Sequence, residues 1–245
     1  PQTPVYNSMF SIKYIYDRNN LISDGSYYDL TNANSTYSVY ENKYNLNICY
    51  PVSDNILEWD TSACSNPVDA QEIYFKLATG LDGLYNRIKD YEFEYNNIYE
   101  LDDNDKLFEN FALYKVNDTE DSSLIINLTA SSNDHIYVYI NSRNLDDVTI
   151  SSATIDTTMH VTDGYILDLG YYNTYDSIHI ELPLKDEVTY ANVDFVLFTM
   201  NDEVFIEGYN KLKSGQIEYT EFTDTKIEGS FIAENNEILY TSIPY

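Results

Sequence analysis

Cysteine is nearly absent: the chain has two, Cys49 and Cys64, in 245 residues. Neither stands in a CxxC motif or beside a histidine, which excludes a thiol-based metal centre and a catalytic thiol. If they pair they close a short loop, worth roughly 3 kcal/mol when unstrained; two cysteines are too few to assign a redox compartment. Basic residues are scarce as well, 13 against 41 acidic, for a net charge of −28. That field repels phosphate backbones, so nucleic acid is excluded as a partner, and it argues against direct adhesion to anionic lipid headgroups. No apolar run approaches the about 20 residues of a membrane span. Pro1-Gln2-Thr3-Pro4 is neither basic nor followed by an apolar core, so no signal peptide is present. Also missing are a GxSxG elbow, SxxK, HExxH and a glycine-rich phosphate loop, which removes the common nucleophilic, zinc-hydrolase and nucleotide signatures.

What is present is hydrophobic residue at 43%, enough for a globular core, and 26 tyrosines beside 10 phenylalanines and a single tryptophan. Tyrosine joins an apolar ring to a polar tip and suits half-buried strands and sugar-facing surfaces alike, strand packing being the commoner use.

Taken in order, residues 1–86 read as a mixed α/β subdomain. Strands are expected at Ser11 to Tyr16, Tyr37 to Tyr40 and Asn47 to Val52, the last closed by Pro51, with a loop from Asn19 to Ser35 turning at Asp24-Gly25. Asn66 is a good N-cap, Pro67 takes the first helical position, and Ala70, Ile73, Tyr74, Leu77 and Leu81 recur at helical spacing until Gly80 and Gly83 punctuate the end. From 87 to 200 the text changes to short strands between polar turns: Tyr91 to Tyr95, Phe111 to Val116, Leu124 to Thr129, Ile136 to Ile140, Val148 to Ile150, Tyr165 to Leu169, Ser177 to Leu182 and Val193 to Phe198. Such spacing without helical periods indicates an antiparallel, jelly-roll-like β-sandwich, with Asp163-Gly164 as a hairpin turn. Residues 201–214 restore a helix capped by Asn201 or Asp202 and ended by Ser214-Gly215. A strand from Gln216 to Phe222 follows, then a hairpin whose strands, around Ile227 and from Ile238, flank a turn at Glu234-Asn235-Asn236. The class is α+β, mostly β, with 201–245 packing back on the N-terminal part. The strand ending at Tyr245 has no natural cap, so the chain is read as a segment of a longer polypeptide.

Candidate chemistry is thin. His135, His160 and His179 are scattered, without carboxylate or cysteine partners at ligand spacing, and read as strand-surface residues. The acidic run Glu100 to Asp105 fails the calcium-loop pattern because Lys106 and Leu107 stand where an oxygen ligand and a glycine are needed. Carboxylates are so abundant that a pair such as Asp146-Asp147 carries little information about glycosidase chemistry. Asn34, Asn117 and Asn127 each begin an Asn-x-Thr triplet, expected by chance at this composition. No catalytic, cofactor or metal residue is assigned.

Four segments, in order, resemble the YfhO family of bacterial polytopic membrane proteins. They are Pro4 to Tyr16; Val39-Tyr-Glu-Asn-Lys-Tyr-Asn-Leu46, where Asn45 and Asn47 replace the usual Ala and Pro; the helix Asn66 to Gly80; and Ile238-Leu-Tyr-Thr-Ser-Ile-Pro-Tyr245. Tyr40, Glu41, Asn42, Tyr44, Ser242 and Pro244 are the landmark residues, of unassigned role. The resemblance implies the extracytoplasmic domain of a membrane glycosyltransferase of GT-C type, on the outer face of a bacterial cell membrane. Such a protein moves a sugar from a polyprenyl-phosphate carrier onto an envelope polymer such as teichoic acid. Its catalytic residues would lie in a transmembrane part outside this sequence, which would also be this domain's partner. The domain's share is then positioning of glycan or acceptor, with divalent cations screening an anionic polymer from a −28 surface. The alternative is a carbohydrate-binding or adhesion module of the cell surface without an enzyme partner.

Overall fold

The computed structural model describes residues 3–18, 22, 25–100, 110–153, 155–161, 164–223, 225–234 and 236–242. The chain opens with a helix, α1 (Pro4–Met9), where the sequence suggests only the approach to a strand. Pro4 presets its first turn, and the Thr3 hydroxyl accepts from the Tyr6 N–H at 3.2 Å. Strands β1 (Tyr14–Asp17), β2 (Tyr28–Ala33) and β3 (Ser38–Asn42) form a sheet in the order β1-β3-β2. β2 falls inside the expected loop: its polar text has no strand signal of its own, and pairing with β3 across a bulge supplies the order. β4 (Cys49–Ser53) continues through Pro51 rather than stopping there, because a strand with one partner tolerates a missing donor on its free side. Two short 3-10 turns lead to α2 (Pro67–Thr79). Asn66 Oδ1 accepts from Val68 and Asp69 N–H at 2.9 Å, and Gly80, at φ 75°, closes the helix in the left-handed region.

β5 (Tyr85–Arg87) begins a run of eleven strands: β6 (Glu92–Asn96), β7 (Ile98–Glu100), β8 (Asn110–Lys115), β9 (Ser123–Thr129), β10 (Asp134–Asn141), β11 (Val148–Ser152), β12 (Asp156–Met159), β13 (Tyr165–Tyr172), β14 (Ser177–Pro183) and β15 (Tyr190–Met200). β5, β7 and β12, of three or four residues, have too few positions to show alternation. One sheet has the order β13-β10-β15-β8-β7, with β5 also on β15; the other has the order β12-β11-β14-β9-β6. The strand pairings among the described residues are antiparallel, and the two inner faces meet in a core that includes Leu113, Ile126, Val138, Ile150, Ile180 and Val193. The corner between sheets is one residue, Asn97, at φ 52°. Its side chain donates to Asn117 O and Ser122 Oγ at 2.8 Å and accepts from Asn117 N–H at 3.0 Å, so the bend is held by the β8–β9 connection.

The chain then forms α3 (Asp202–Ser214), capped by Asn201, and β16 (Glu218–Phe222), β17 (Ile227–Ser230) and β18 (Glu237–Thr241). Here the expected terminal hairpin is corrected. β17 pairs with β16, whereas β18 crosses to β4, with Ile238 opposite Val52 and Tyr240 opposite Tyr50. Burying Ile238 and Tyr240 beside β4 outweighs a local pairing around an Asn-rich turn.

The chain divides into two compact units: 86–200, and a discontinuous unit from 2–85 with 201–245. The second has a polar, tyrosine-rich core. Tyr50 donates to Met9 O at 2.8 Å and lies 2.7 Å, hydroxyl to hydroxyl, from Tyr74; Thr3, Gln71 and Tyr85 form a buried hydrogen-bonded trio. Among the described residues no helix is long and apolar enough to cross a membrane.

Candidate functional site

The five-stranded sheet of the sandwich turns its inner residues, Ile126, Ile150, Ile178 and Ile180, into the core. Because side chains alternate, the residues between them share the outer face. Register then aligns a polar row across four strands. Ser151 on β11 stands opposite His179 on β14, His179 opposite Asn127 on β9, and Asn127 opposite Glu92 on β6. His179 Nδ1 lies 2.8 Å from Asn127 Oδ1, so the ring donates to the amide oxygen there. A second row, Ser177 opposite Thr129, runs beside it. These residues, with Asp90, Tyr91, Ser152 and Ala153, line an open cleft of about 670 Å³. Hydroxyls, an amide, an imidazole and carboxylates share the lining with Leu128, Ala153, Ile178 and the ring of Tyr91, and among the described residues it holds no lysine or arginine. A smaller hollow of about 320 Å³ shares Asp90, Leu128 and Thr129 with it and is lined in addition by Arg87 and Lys89. The cleft thus offers donors and acceptors to a hydroxyl-rich, uncharged ligand, and cations only next door.

Sequence reading treated the histidines as isolated; the fold supplies partners for all three. His179 joins the cleft. His135 is buried against Asp168, and His160 Nδ1 is 2.6 Å from Asp147 on the surface. These pairs join residues tens of positions apart, or in His160 a neighbouring strand's approach, so local spacing carries no trace of them. Asn127, set aside as a chance triplet, is the centre of the polar row; Asn34 and Asn117 instead accept from nearby backbone N–H groups in tight turns. Among the described residues no group of three or more His, Cys, Asp or Glu is placed to hold a metal ion. Of the acidic run, only Glu100 lies within the described residues.

Cys49 and Cys64, whose pairing the sequence leaves open, both carry free thiols, Cys49 buried in β4. Cys64 lies beyond the 3-10 turns, its Sγ 3.6 Å from Asp60 O, and burial with the nearby Asp69 and Asp60 charges raises its thiol pKa. Neither is placed for thiolate chemistry.

The landmark residues belong to the discontinuous unit, and the described ones serve its architecture. Asn42 is buried; its amide donates to Ile12 O at 3.0 Å and its carbonyl accepts from Tyr44 N–H at 3.0 Å. Tyr44 takes the Ser8 hydroxyl on its carbonyl at 2.6 Å and packs its ring 5.0 Å from Phe205 and 5.1 Å from Tyr209. Tyr40 donates to Ile22 O at 3.3 Å, and Glu41 pairs with Lys13 at 3.5 Å. Ser242 reaches Ser11 Oγ at 2.8 Å and, through its N–H, Ile48 O at 3.0 Å. Pro244 lies outside the described residues, as does Asp163 of the expected hairpin turn.

Solved structures similar to the chain include a family 29 carbohydrate-binding module from Piromyces equi (9% identity, 48% of this chain and 90% of that one, TM-score 0.31). Others are TmCBM61 in complex with β-1,4-galactotriose (6%, 46% and 90%, 0.31) and CBM36 in complex with calcium and xylotriose (18%, 46% and 98%, 0.27). At these TM-scores the likeness adds nothing to the reading of the cleft. No curated protein matches the chain in sequence. The model of the family described as bacterial membrane protein YfhO matches residues 1–245, and the chain belongs to that family.

Proposed function

We propose that the sandwich unit binds glycan in the cleft of its five-stranded sheet, and that the two units act as the domains of an extracytoplasmic part of the full membrane protein. In this reading the domain positions a sugar or an envelope-polymer acceptor, such as teichoic acid, while a GT-C-type membrane part transfers the sugar from a polyprenyl-phosphate carrier. The observation that carries it is the aligned row Ser151–His179–Asn127–Glu92 in an open cleft of about 670 Å³. That volume falls in the range of small-ligand sites, about 300 to 1,000 Å³. Vicinal sugar hydroxyls both donate and accept, which suits a row alternating hydroxyl, imidazole, amide and carboxylate. Tyr91, packed against Phe93 and Phe195, adds an aromatic ring to the lining. A phosphate-bearing polymer would set its charges toward Arg87 and Lys89 in the adjoining hollow, and calcium would lessen repulsion from the −28 chain.

Titration of the chain with neutral oligosaccharides and with teichoic acid, each with and without calcium, tests this. The expected result is saturable binding that His179→Ala or Asn127→Ala weakens by about tenfold, the loss of one or two hydrogen bonds. Anionic polymer should bind better with calcium. Binding untouched by both substitutions, or no binding to any glycan, would overturn the reading.

A further inference from the structure

The sheet β1-β3-β2 combines exposed tyrosine rings with a local balance of charge. β2 is exposed along its last five residues, and β1 is an edge strand carrying Tyr14 and Tyr16, 54% and 58% exposed. Two residues apart, these rings share one face. Tyr16 lies 4.6 Å from Tyr37, and Lys13 Nζ sits 5.1 Å from the Tyr14 ring centroid. Lys13 and Arg18 bracket the pair in the sequence Lys13-Tyr-Ile-Tyr-Asp-Arg18. Within residues 13–18, 28–33 and 38–43, Lys13, Arg18 and Lys43 balance Asp17, Asp29 and Glu41, three against three. The whole −28 surplus therefore lies elsewhere in the chain.

We propose that this edge, Tyr14 and Tyr16 between Lys13 and Arg18, is a membrane-contact surface that seats in the lipid headgroup layer. Tyrosine rings with polar tips are suited to the boundary between headgroups and acyl chains, and flanking cations are drawn to lipid phosphates. The net charge of the whole chain opposes approach to an anionic surface, but this local balance exempts a face that also presents two adjacent exposed rings. That the chain belongs to a membrane-protein family supplies the occupant. The inference rests on that membership and not on glycan binding.

Co-sedimentation of the 245-residue chain with vesicles of phosphatidylcholine, and of phosphatidylcholine with phosphatidylglycerol, tests it. The wild-type chain should bind both, and the double substitution Tyr14→Ser, Tyr16→Ser should lower partitioning about fivefold, with an unchanged circular dichroism spectrum because both rings are exposed. Lys13→Glu with Arg18→Glu should lower binding to the phosphatidylglycerol vesicles more than to the neutral ones. His179→Ala should leave vesicle binding unchanged, which separates this surface from the cleft. Equal binding by wild type and the tyrosine variant would overturn the proposal. So would no vesicle binding at all.

Discussion

The two units solve the problem of a core differently. The sandwich closes two antiparallel sheets over aliphatic side chains, Ile126, Val138, Ile150, Ile180 and Val193 among them, whose contribution scales with area removed from water and asks for no partner. The discontinuous unit also buries tyrosines, a glutamine and asparagines, many of whose polar atoms are held by specific hydrogen bonds. The first core tolerates error in direction but not in volume. The second tolerates neither, since a lost hydroxyl strands its partner as well. The difference also sorts function: a self-sufficient core leaves the sandwich's outer face free to carry a polar row, whereas the polar residues of the other unit are consumed in holding α1, β3 and β4 together.

The largest test of that contrast is Ile180→Ala, which should cost about 2–5 kcal/mol by opening a cavity in the sandwich core. Calorimetry should show the loss in one of two transitions and leave the other in place; a uniform shift of both would mean that the units unfold as one. Next is Gly208→Ala. A Cβ there would stand 2.2 Å from Phe75 Cζ, so the buried ring must move, at about 1–3 kcal/mol in the discontinuous unit alone. An unchanged denaturant midpoint would show that the α2–α3 contact is looser than its geometry. Tyr50→Phe keeps the ring and removes the hydroxyl between Met9 O and Tyr74, with an expected loss of about 1–2 kcal/mol.

The smallest effect is one of pH. Burial, chiefly, holds the hydroxyls of Tyr50 and Tyr74 above the ordinary tyrosine value of 10.0. A tyrosine whose folded pKa is raised stays protonated after its unfolded counterpart has ionised, so its stabilisation is complete below the unfolded pKa and fades as pH climbs above it. Denaturant midpoints measured from about pH 8 to pH 11 should therefore fall at the alkaline end, and less steeply in Tyr50→Phe. An identical slope in the variant would place the alkaline sensitivity in other tyrosines.

Legibility in the sequence follows the same division. Strands of the sandwich show in the text because alternation along Leu124 to Thr129 or Ser177 to Leu182 is itself the burial pattern, and the two longer helices are framed by their own caps, Asn66 before α2 and Asn201 before α3, whereas the short α1 is not legible. β2 and the partner of β18 are not written locally. The first is polar and is ordered by β3, and the second is selected by β4 from the far end of the chain. The cleft is hidden for the same reason. Glu92, Asn127, Ser151 and His179 are ordinary polar residues at wide and unequal separations, and only strand register sets them in line.

The sequence by itself determined the class of the molecule, a mostly β chain with capped helices, its acidic field, and the family, because these are local or additive properties. Tertiary structure alone decided that β17 and β18 part company, that the landmark asparagine and tyrosines are braces, and that four scattered side chains form one row. Each of these depends on which distant backbone a strand pairs with, and that choice is set by the burial the whole unit gains.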